Sequence, residues 1–378
     1  ILDAKPSASE AELVTAIKGA GPLINDPRPN PDVQRRLLDI DGAAALLAGN
    51  GTTTTTASTT TTRATTTTTT RATTTTTTAP PTTPATIHRV NGADRIGTSI
   101  AASQSSFPSA HSAQAVVLAS SQAFPDGLAG TPLAVKLQAP LLLTDPASVR
   151  DDLLTEIQRV LPAGGSIEVL GGTTAIADPV VSALQGAGFQ VQRLFGPDRY
   201  ATATAIADRI GGAQVALLAT GLNFPDGLAA GVAAAHAGGV VLFTQGSTQA
   251  GATQSWLQAH SGVPVVTVGG PAASAFAGGT HLSGADRYET SVDVAEHFFA
   301  DPSIAGLASG TVFPDALSGG AHIAELGGPM LLTAPSSLPS TVGTWFRDHA
   351  DSVTVVEIYG GTTAVAEAVA TQVRTATS

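Results

Sequence analysis

The phrase FPDGLAG at residues 124–130 returns as FPDGLAA at 224–230 and as FPDALSG at 313–319, at intervals of 100 and 89 residues. Three further phrases recur with it in fixed order. The first is VNGADRIGTS (90–99), LFGPDRYATA (194–203) and LSGADRYETS (282–291); another is PLLLT (140–144), VVLFT (240–244) and PMLLT (329–333). The last is VLGGTTAIA (169–177), TVGGPAASA (267–275) and IYGGTTAVA (358–366). Four motifs in one order, three times over, require a triplicated unit. The period is too long for the familiar solenoids of ~20–50 residues. Each copy is therefore a small domain, and the expected boundaries are 87–190, 191–279 and 280–378.

Within a copy, short apolar runs alternate with helix-length amphipathic segments. AVVLAS (115–120), APLLLT (139–144) and SIEVLGG (166–172) predict buried strands, with DGLAGTPLAVKLQ and SVRDDLLTEIQRVL as helices between them. Such alternation predicts βαβ units and a parallel sheet. DRYATATAIADRIGG predicts another helix, with Asp198 at the N-cap; Asp286 and Glu289 have capping-box spacing. The FPD phrase lies where a strand gives way to a helix. Pro125, Pro225 and Pro314 suit early helical positions, where a missing N–H costs nothing. Asp126, Asp226 and Asp315 suit the first turn, favoured by the helix dipole, and Phe124, Phe224 and Phe313 anchor the turn in the core.

Upstream of the repeats the composition changes twice. Residues 51–86 hold 24 threonines, with prolines at 80, 81 and 84, and show no apolar period. Such a tract cannot bury enough surface to offset the entropy of ordering, so a disordered linker is expected, either a glycosylated stalk or an unmodified tether. Residues 1–50 predict two short helices, the second starting after Pro31, as the tail of a larger domain or as a small module. The chain starts at Ile1 and reads as a mature form or a fragment.

Charge and chemistry narrow the function. The formal charge is −11, all of it in residues 87–378, because residues 1–86 carry seven acidic and seven basic side chains. That balance and the 4% aromatic content disfavour nucleic acid as a partner. With no cysteine there is no disulfide framework and no thiolate chemistry. Residues 227–285 lack Asp, Glu, Lys and Arg, but glycine pairs and His236 interrupt them. A buried helix and strand are expected there rather than a membrane span. The eight histidines show no metal-ligand spacing, and no H-E-x-x-H or G-x-S-x-G sequence occurs. No catalytic site, metal or cofactor is expected.

The strongest functional candidates are the repeated pairs Asp94–Arg95, Asp198–Arg199 and Asp286–Arg287. Arginine is scarce, yet one recurs at the same place in every copy, and its planar fork suits carboxylate or phosphate. The alternative role is a salt bridge to an acid such as the FPD aspartate, locking the repeats together. The GGTT turns could in principle cradle phosphate at a helix N-terminus. They lack the G-x-G-x-x-G and Walker patterns, and read as tight turns.

The motifs GPDRYATA, ASSQAFPDGLAG, APLLLT and EVLGGTTAIA resemble the cell-wall-binding repeat 2 family of Gram-positive surface proteins, over about residues 87–378. The resemblance implies three small parallel-sheet α/β repeats packed as a pseudo-threefold module. It implies a non-catalytic, non-covalent anchor at the cell surface for an anionic wall polymer, a polysaccharide or a teichoic-acid-like chain. A "PILL"-type motif takes part in the family, corresponding to Pro140–Leu143 and Pro329–Leu332. The second copy departs with Val240 in place of that proline and with GGPAASAFAGG in place of a full final helix. The first departs with Ile96 where Tyr200 and Tyr288 stand. A net negative module repels an anionic polymer at long range. Binding then rests on local arginines, the preferred reading, or on bridging divalent cations. Two other functions compete: the targeting half of a wall hydrolase whose catalytic domain lies upstream of residue 1, and an α/β enzyme using the GGTT turns for a nucleotide.

Overall fold

The computed structural model describes residues 83–378, together with the backbone of two short strands, β1 (Leu23–Asn25) and β2 (Gln34–Arg36), which pair antiparallel. The helix expected to start after Pro31 is therefore replaced by strand at 34–36. Pairing with β1, in register Leu23↔Arg36 to Asn25↔Gln34, supplies these residues' backbone groups with cross-strand partners in place of helical ones. The rest of residues 1–50 and the threonine tract up to residue 82 lie outside the described residues. The end of that tract is already part of the module: Ala85 is buried, and its N–H donates to the Thr377 hydroxyl.

Three parallel sheets follow. The first has the order β5-β4-β6-β7, from β4 (Ala115–Ser120), β5 (Leu141–Thr144), β6 (Ser166–Leu170) and β7 (Gln190–Leu194). The second has the order β10-β9-β8-β11-β12. It comprises β8 (Ala216–Thr220), β9 (Val240–Gln245), the two-residue β10 (Thr248–Gln249), β11 (Val265–Val268) and β12 (Thr280–Leu282). Only β10 runs antiparallel, against β9. The third has the order β14-β13-β15-β3, from β3 (Thr86–Val90), β13 (Ile304–Ser309), β14 (Met330–Thr333) and β15 (Val355–Tyr359). The central strands are buried along nearly their whole length, as a parallel sheet covered on both faces requires.

The fourth strand of each sheet comes from the start of the next repeat. β7 leads into the second DR phrase and pairs with β6; β12 leads into the third and pairs with β11. The ring closes through β3, which precedes the first DR phrase and pairs with β15 in register Val355↔Thr86 to Tyr359↔Val90, some 270 residues away. Each repeat thus lends one strand to its predecessor, and the first lends to the last.

The three helices that open with the FPD phrase, Pro125–Lys136, Pro225–His236 and Pro314–Glu325, pack on one another around the pseudo-threefold axis. Proline is the first helical residue in each, as expected, and the aspartate follows in the first turn. Small residues let the backbones meet. A Cβ on Gly227 would lie 2.8 Å from Leu128 Cδ1, and one on Gly127 would lie 2.5 Å from Leu317 Cδ2. The phenylalanines form a triad at the axis, every pair of ring centroids 5.9 Å apart and the rings tilted by 56–64°. Such edge-on pairs contribute about 0.5–1.5 kcal/mol each beyond their buried area. The DR helices, Arg95–Ser106, Arg199–Ile210 and Arg287–Phe298, brace this centre from outside.

Candidate functional site

Every recurring turn except the start of the PLLLT phrase lies at the carboxyl edge of the sheets. In open parallel sheets ligands bind beyond the carboxyl ends of the strands. The DR phrase builds its turn from its own residues. The glycine N–H, from Gly92, Gly196 or Gly284, donates to the hydroxyl of Thr98, Thr202 or Thr290 at 3.1–3.2 Å. The aspartate caps the helix that follows: Asp94 accepts from the Gly97 N–H, Asp198 from Ala201, and Asp286 from Tyr288 and Glu289. Glu289 reaches back to the Ala285 N–H, which completes a box one residue earlier than its spacing predicts. The final threonine of the PLLLT phrase is spent in the same way. Thr144, Thr244 and Thr333 are fully buried and donate to carbonyls of the turns that follow them.

With glycine, aspartate and threonine employed in the turn, the arginine is the residue of the phrase with donors to spare. Each arginine donates one bond to a backbone carbonyl just before its own FPD phrase. Arg95 donates to Ser121 at 2.7 Å, Arg199 to Gly221 at 2.5 Å and Arg287 to Gly310 at 2.5 Å. A guanidinium has five donors, and among the described residues this is the only side-chain hydrogen bond each of the three makes.

The same arginines face the FPD aspartate of the preceding repeat: Arg199 faces Asp126, Arg287 faces Asp226, and Arg95 faces Asp315 across the ring closure. The lock between repeats is electrostatic rather than a direct contact, since none of the three pairs falls within 4.0 Å among the described residues. Arg199 also sits over the Phe124 ring, 5.8 Å from its centroid. Burial pushes the Asp126 and Asp226 carboxyls up to about 6, against the pull of the neighbouring arginine. Burial raises Asp315 too, opposed by a Thr98 hydrogen bond and by Arg95.

These aspartates explain the first glycine of each GG pair. Gly171, Gly269 and Gly360 adopt φ of 95°, 86° and 99°, and a Cβ there would lie 2.0–2.5 Å from the carboxylate of Asp126, Asp226 or Asp315. A side chain is excluded both by conformation and by contact. A carboxylate seated on the turn opposes a phosphate at the same place.

Between the second and third repeats the arrangement opens into a groove of about 450 Å³, lined among others by Leu222, Asp226, Gly270, Ser283, Asp286 and Arg287. The candidate Asp–Arg pair and the FPD aspartate of the preceding repeat therefore share one concavity. Asp94 differs from its counterparts in bonding Arg150, which also holds Asp152. That bond and the Gly97 N–H hold its carboxyl below the usual range, the backbone bond being the larger cause.

Pro140 and Pro329 do not join this site. They are buried at the amino ends of β5 and β14, at the opposite edge of the sheets, and Leu141–Leu143 and Met330–Leu332 are buried with them. The carbonyls of both prolines accept from the neighbouring strand, from Val117 at 3.0 Å and Gly306 at 2.8 Å. The PILL-type segment is thus core strand. Sequence reasoning missed the crossing of each arginine to the repeat before it. The signal was present in the strict co-occurrence of FPD, DR and GG, but their order along the chain hides which copies meet.

The fold and site define a class: a three-lobed α/β module with an Arg/Asp pair facing across each junction and a groove at the second of them. The chain belongs to the cell wall binding domain 2 (CWB2) family, whose model matches residues 89–181, 193–275 and 281–370, and it is a cell-wall-binding module. Among curated proteins it is similar to N-acetylmuramoyl-L-alanine amidase LytC of Bacillus subtilis, 25% identical over 295 residues, spanning 76% of this chain and 58% of the amidase. It is also similar to the amidase enhancer of Bacillus subtilis, 33% identical over 161 residues, 43% of this chain and 22% of that protein. The chain thus spans little more than half of one curated relative and under a quarter of the other. Its fold matches Cwp8 from Clostridium difficile with TM-score 0.70 and 22% identity, over 77% of this chain and 51% of that one. Cwp6 from Clostridium difficile matches with TM-score 0.69 and 22% identity, over 79% and 48%. Among the described residues no helix is long and apolar enough to cross a membrane.

Proposed function

We propose that the module anchors an exported protein non-covalently at the cell surface by gripping an anionic wall polymer at its inter-repeat junctions. The observation that carries this reading is the repetition of one arginine, with most of its donors uncommitted, at all three junctions. Arg95, Arg199 and Arg287 supply the charge-assisted donors that phosphate or carboxylate groups take. Asp94, Asp198 and Asp286 hold the helix N-termini in place, and Asp286 borders the groove between the second and third repeats. Three sites on one rigid module act together, so modest affinity at each is multiplied by effective concentration. The overall negative charge argues that the arginines work at short range rather than by steering.

A second reading, the targeting half of a wall hydrolase, is favoured by one observation: the similarity to an amidase of which this chain spans 58%. The two are compatible, since a targeting half is itself an anchor, and they differ in what is anchored.

Purified walls of the source organism, before and after acid extraction of secondary polymers, test the proposal. The chain is expected to sediment with intact walls and to remain in solution with extracted ones. Arg95→Ala, Arg199→Ala and Arg287→Ala, combined, are expected to weaken binding at least tenfold and to flatten its dependence on salt, with the fold retained by circular dichroism. Equal binding to extracted walls would direct attention to peptidoglycan and sink the anionic-polymer reading.

A further inference from the structure

The three junctions share their charged residues but differ in one apolar side chain. Among the described residues the large hydrophobic side chains left exposed are Phe195 (57%), Leu222 (60%), Val312 (45%) and Leu326. Leu326 closes the far end of the third FPD helix. The other three belong to the turns that form the junctions, one to each. Leu222 lines the groove between the second and third repeats. Val312 holds in the third repeat the position of Asn223, which lines that same groove. Phe195 holds in the second repeat the position of Ser283, another of its lining residues, and of Asn91 in the first.

Local contacts confirm this last equivalence. A Cβ on Gly270 would lie 3.6 Å from Ser283 Oγ, and one on Gly172 would lie 3.9 Å from Phe195 Cδ2. In both copies the residue after the strand stands against the second glycine of the GG turn. Phe195 therefore holds, at the junction between the first and second repeats, the place that Ser283 holds in the groove of the next junction, beside Asp198 and Arg199 of its own turn and opposite the repeat that supplies Asp126.

We propose that Phe195 is a sugar-stacking residue that makes its junction the one specific for a pyranose ring of the wall polymer. The proposal rests on the polymer-anchor reading above. A pyranose has one apolar face of C–H groups and a rim of hydroxyls. The junction offers an exposed aromatic face together with guanidinium donors and carboxylate acceptors within the same turns. An alkyl chain would leave those charged groups unpaired, and a bare phosphate would gain nothing from the ring. The groove at the next junction, between the second and third repeats, at about 450 Å³, falls within the ~300–1,000 Å³ range of small-ligand sites. Ser283 and Asn91 cannot stack, so the other two junctions bind charge with little selection of sugar.

The test uses the full chain and the polymer fraction released by acid from the same walls, with affinity measured by titration calorimetry at two salt concentrations. Phe195→Ser, which installs the residue found at 283, is expected to weaken binding about tenfold, the size of effect an aromatic contact gives. Its Tm and its salt dependence are expected to stay those of the parent, because the side chain is exposed and uncharged. Phe195→Trp is expected to bind within about twofold of the parent. If Phe195→Ser binds as tightly as the parent, or Phe195→Trp is as weak as Phe195→Ser, stacking is refuted while the anchor stands. If the parent itself fails to bind the polymer, the anchor reading is what falls, and this inference with it.

Discussion

Asp126, Asp226 and Asp315 are buried carboxylates that face an arginine without touching it, each seated on a glycine in the left-handed region. Their raised pKa has a definite sign in stability. For Asp126 and Asp226, between the unfolded value near 3.8 and the folded value of about 6, the folded chain binds more protons than the unfolded one, and Asp315 shifts in the same direction. Stability from these groups therefore falls as pH rises through that window and is flat above it. Asp126→Asn, which carries no charge to desolvate, is expected to stabilise the module at pH 7 by on the order of 1–2 kcal/mol. Its gain over the parent should shrink as pH falls through this window and vanish near pH 3, as thermal melts at the two pH values would reveal. Gly171→Ala is expected to cost more than 2 kcal/mol through both backbone strain and contact with Asp126, and chemical denaturation measures it directly.

At the scale of elements, the three repeats solve one packing problem with different side chains. Where the first repeat packs Leu133 of its FPD helix and Leu170 of β6, the third places His322 and Tyr359, whose Nδ1 and hydroxyl meet at 2.8 Å in the core. Gly319 makes room for the ring, since a Cβ there would lie 2.3 Å from Tyr359 Cγ. Burial holds His322 below its usual pKa, with Glu357 pulling the other way, and burial then the Glu357 charge keep the Tyr359 phenol well above its ordinary range. The contribution of a neutral buried histidine is complete above pH 6.5 and is lost as pH falls towards its folded pKa. Tyr359→Phe, which orphans the imidazole, is expected to cost about 1–3 kcal/mol. The double variant His322→Leu/Tyr359→Phe should cost less than the single change and should resist acid better. Urea titrations at pH 7 and pH 5 separate the two effects.

For the whole molecule, the decisive feature is that the ring of repeats closes through β3, the strand that opens the first repeat. β3 supplies the edge of the third sheet, and Ala85, Val90 and the pair His88–Glu357 at 3.0 Å tie the first repeat to the last. A chain starting at Asn91 is expected to lose on the order of 3–5 kcal/mol relative to one starting at Thr83, from lost strand hydrogen bonds and apolar burial. Its melting should broaden as the third sheet frays. A melt of equal sharpness and midpoint in the two chains would show that closure contributes nothing.

Much of this protein was legible as text. The triplication, the α/β alternation, the proline-first helices, the aspartate caps and the GG turns all follow from residues within a few positions of one another, because turn and cap chemistry is local. The family followed from the same phrases. What the text could not supply was partnership between repeats: that each sheet borrows its fourth strand from the next copy, that the phenylalanines meet at the axis, and that Arg199 answers Asp126 rather than Asp226. Three near-identical phrases satisfy local rules equally well in any pairing. Only the closed ring, in which each sheet must find a fourth strand and each small-residue helix a partner close enough to pack, decides which copy faces which.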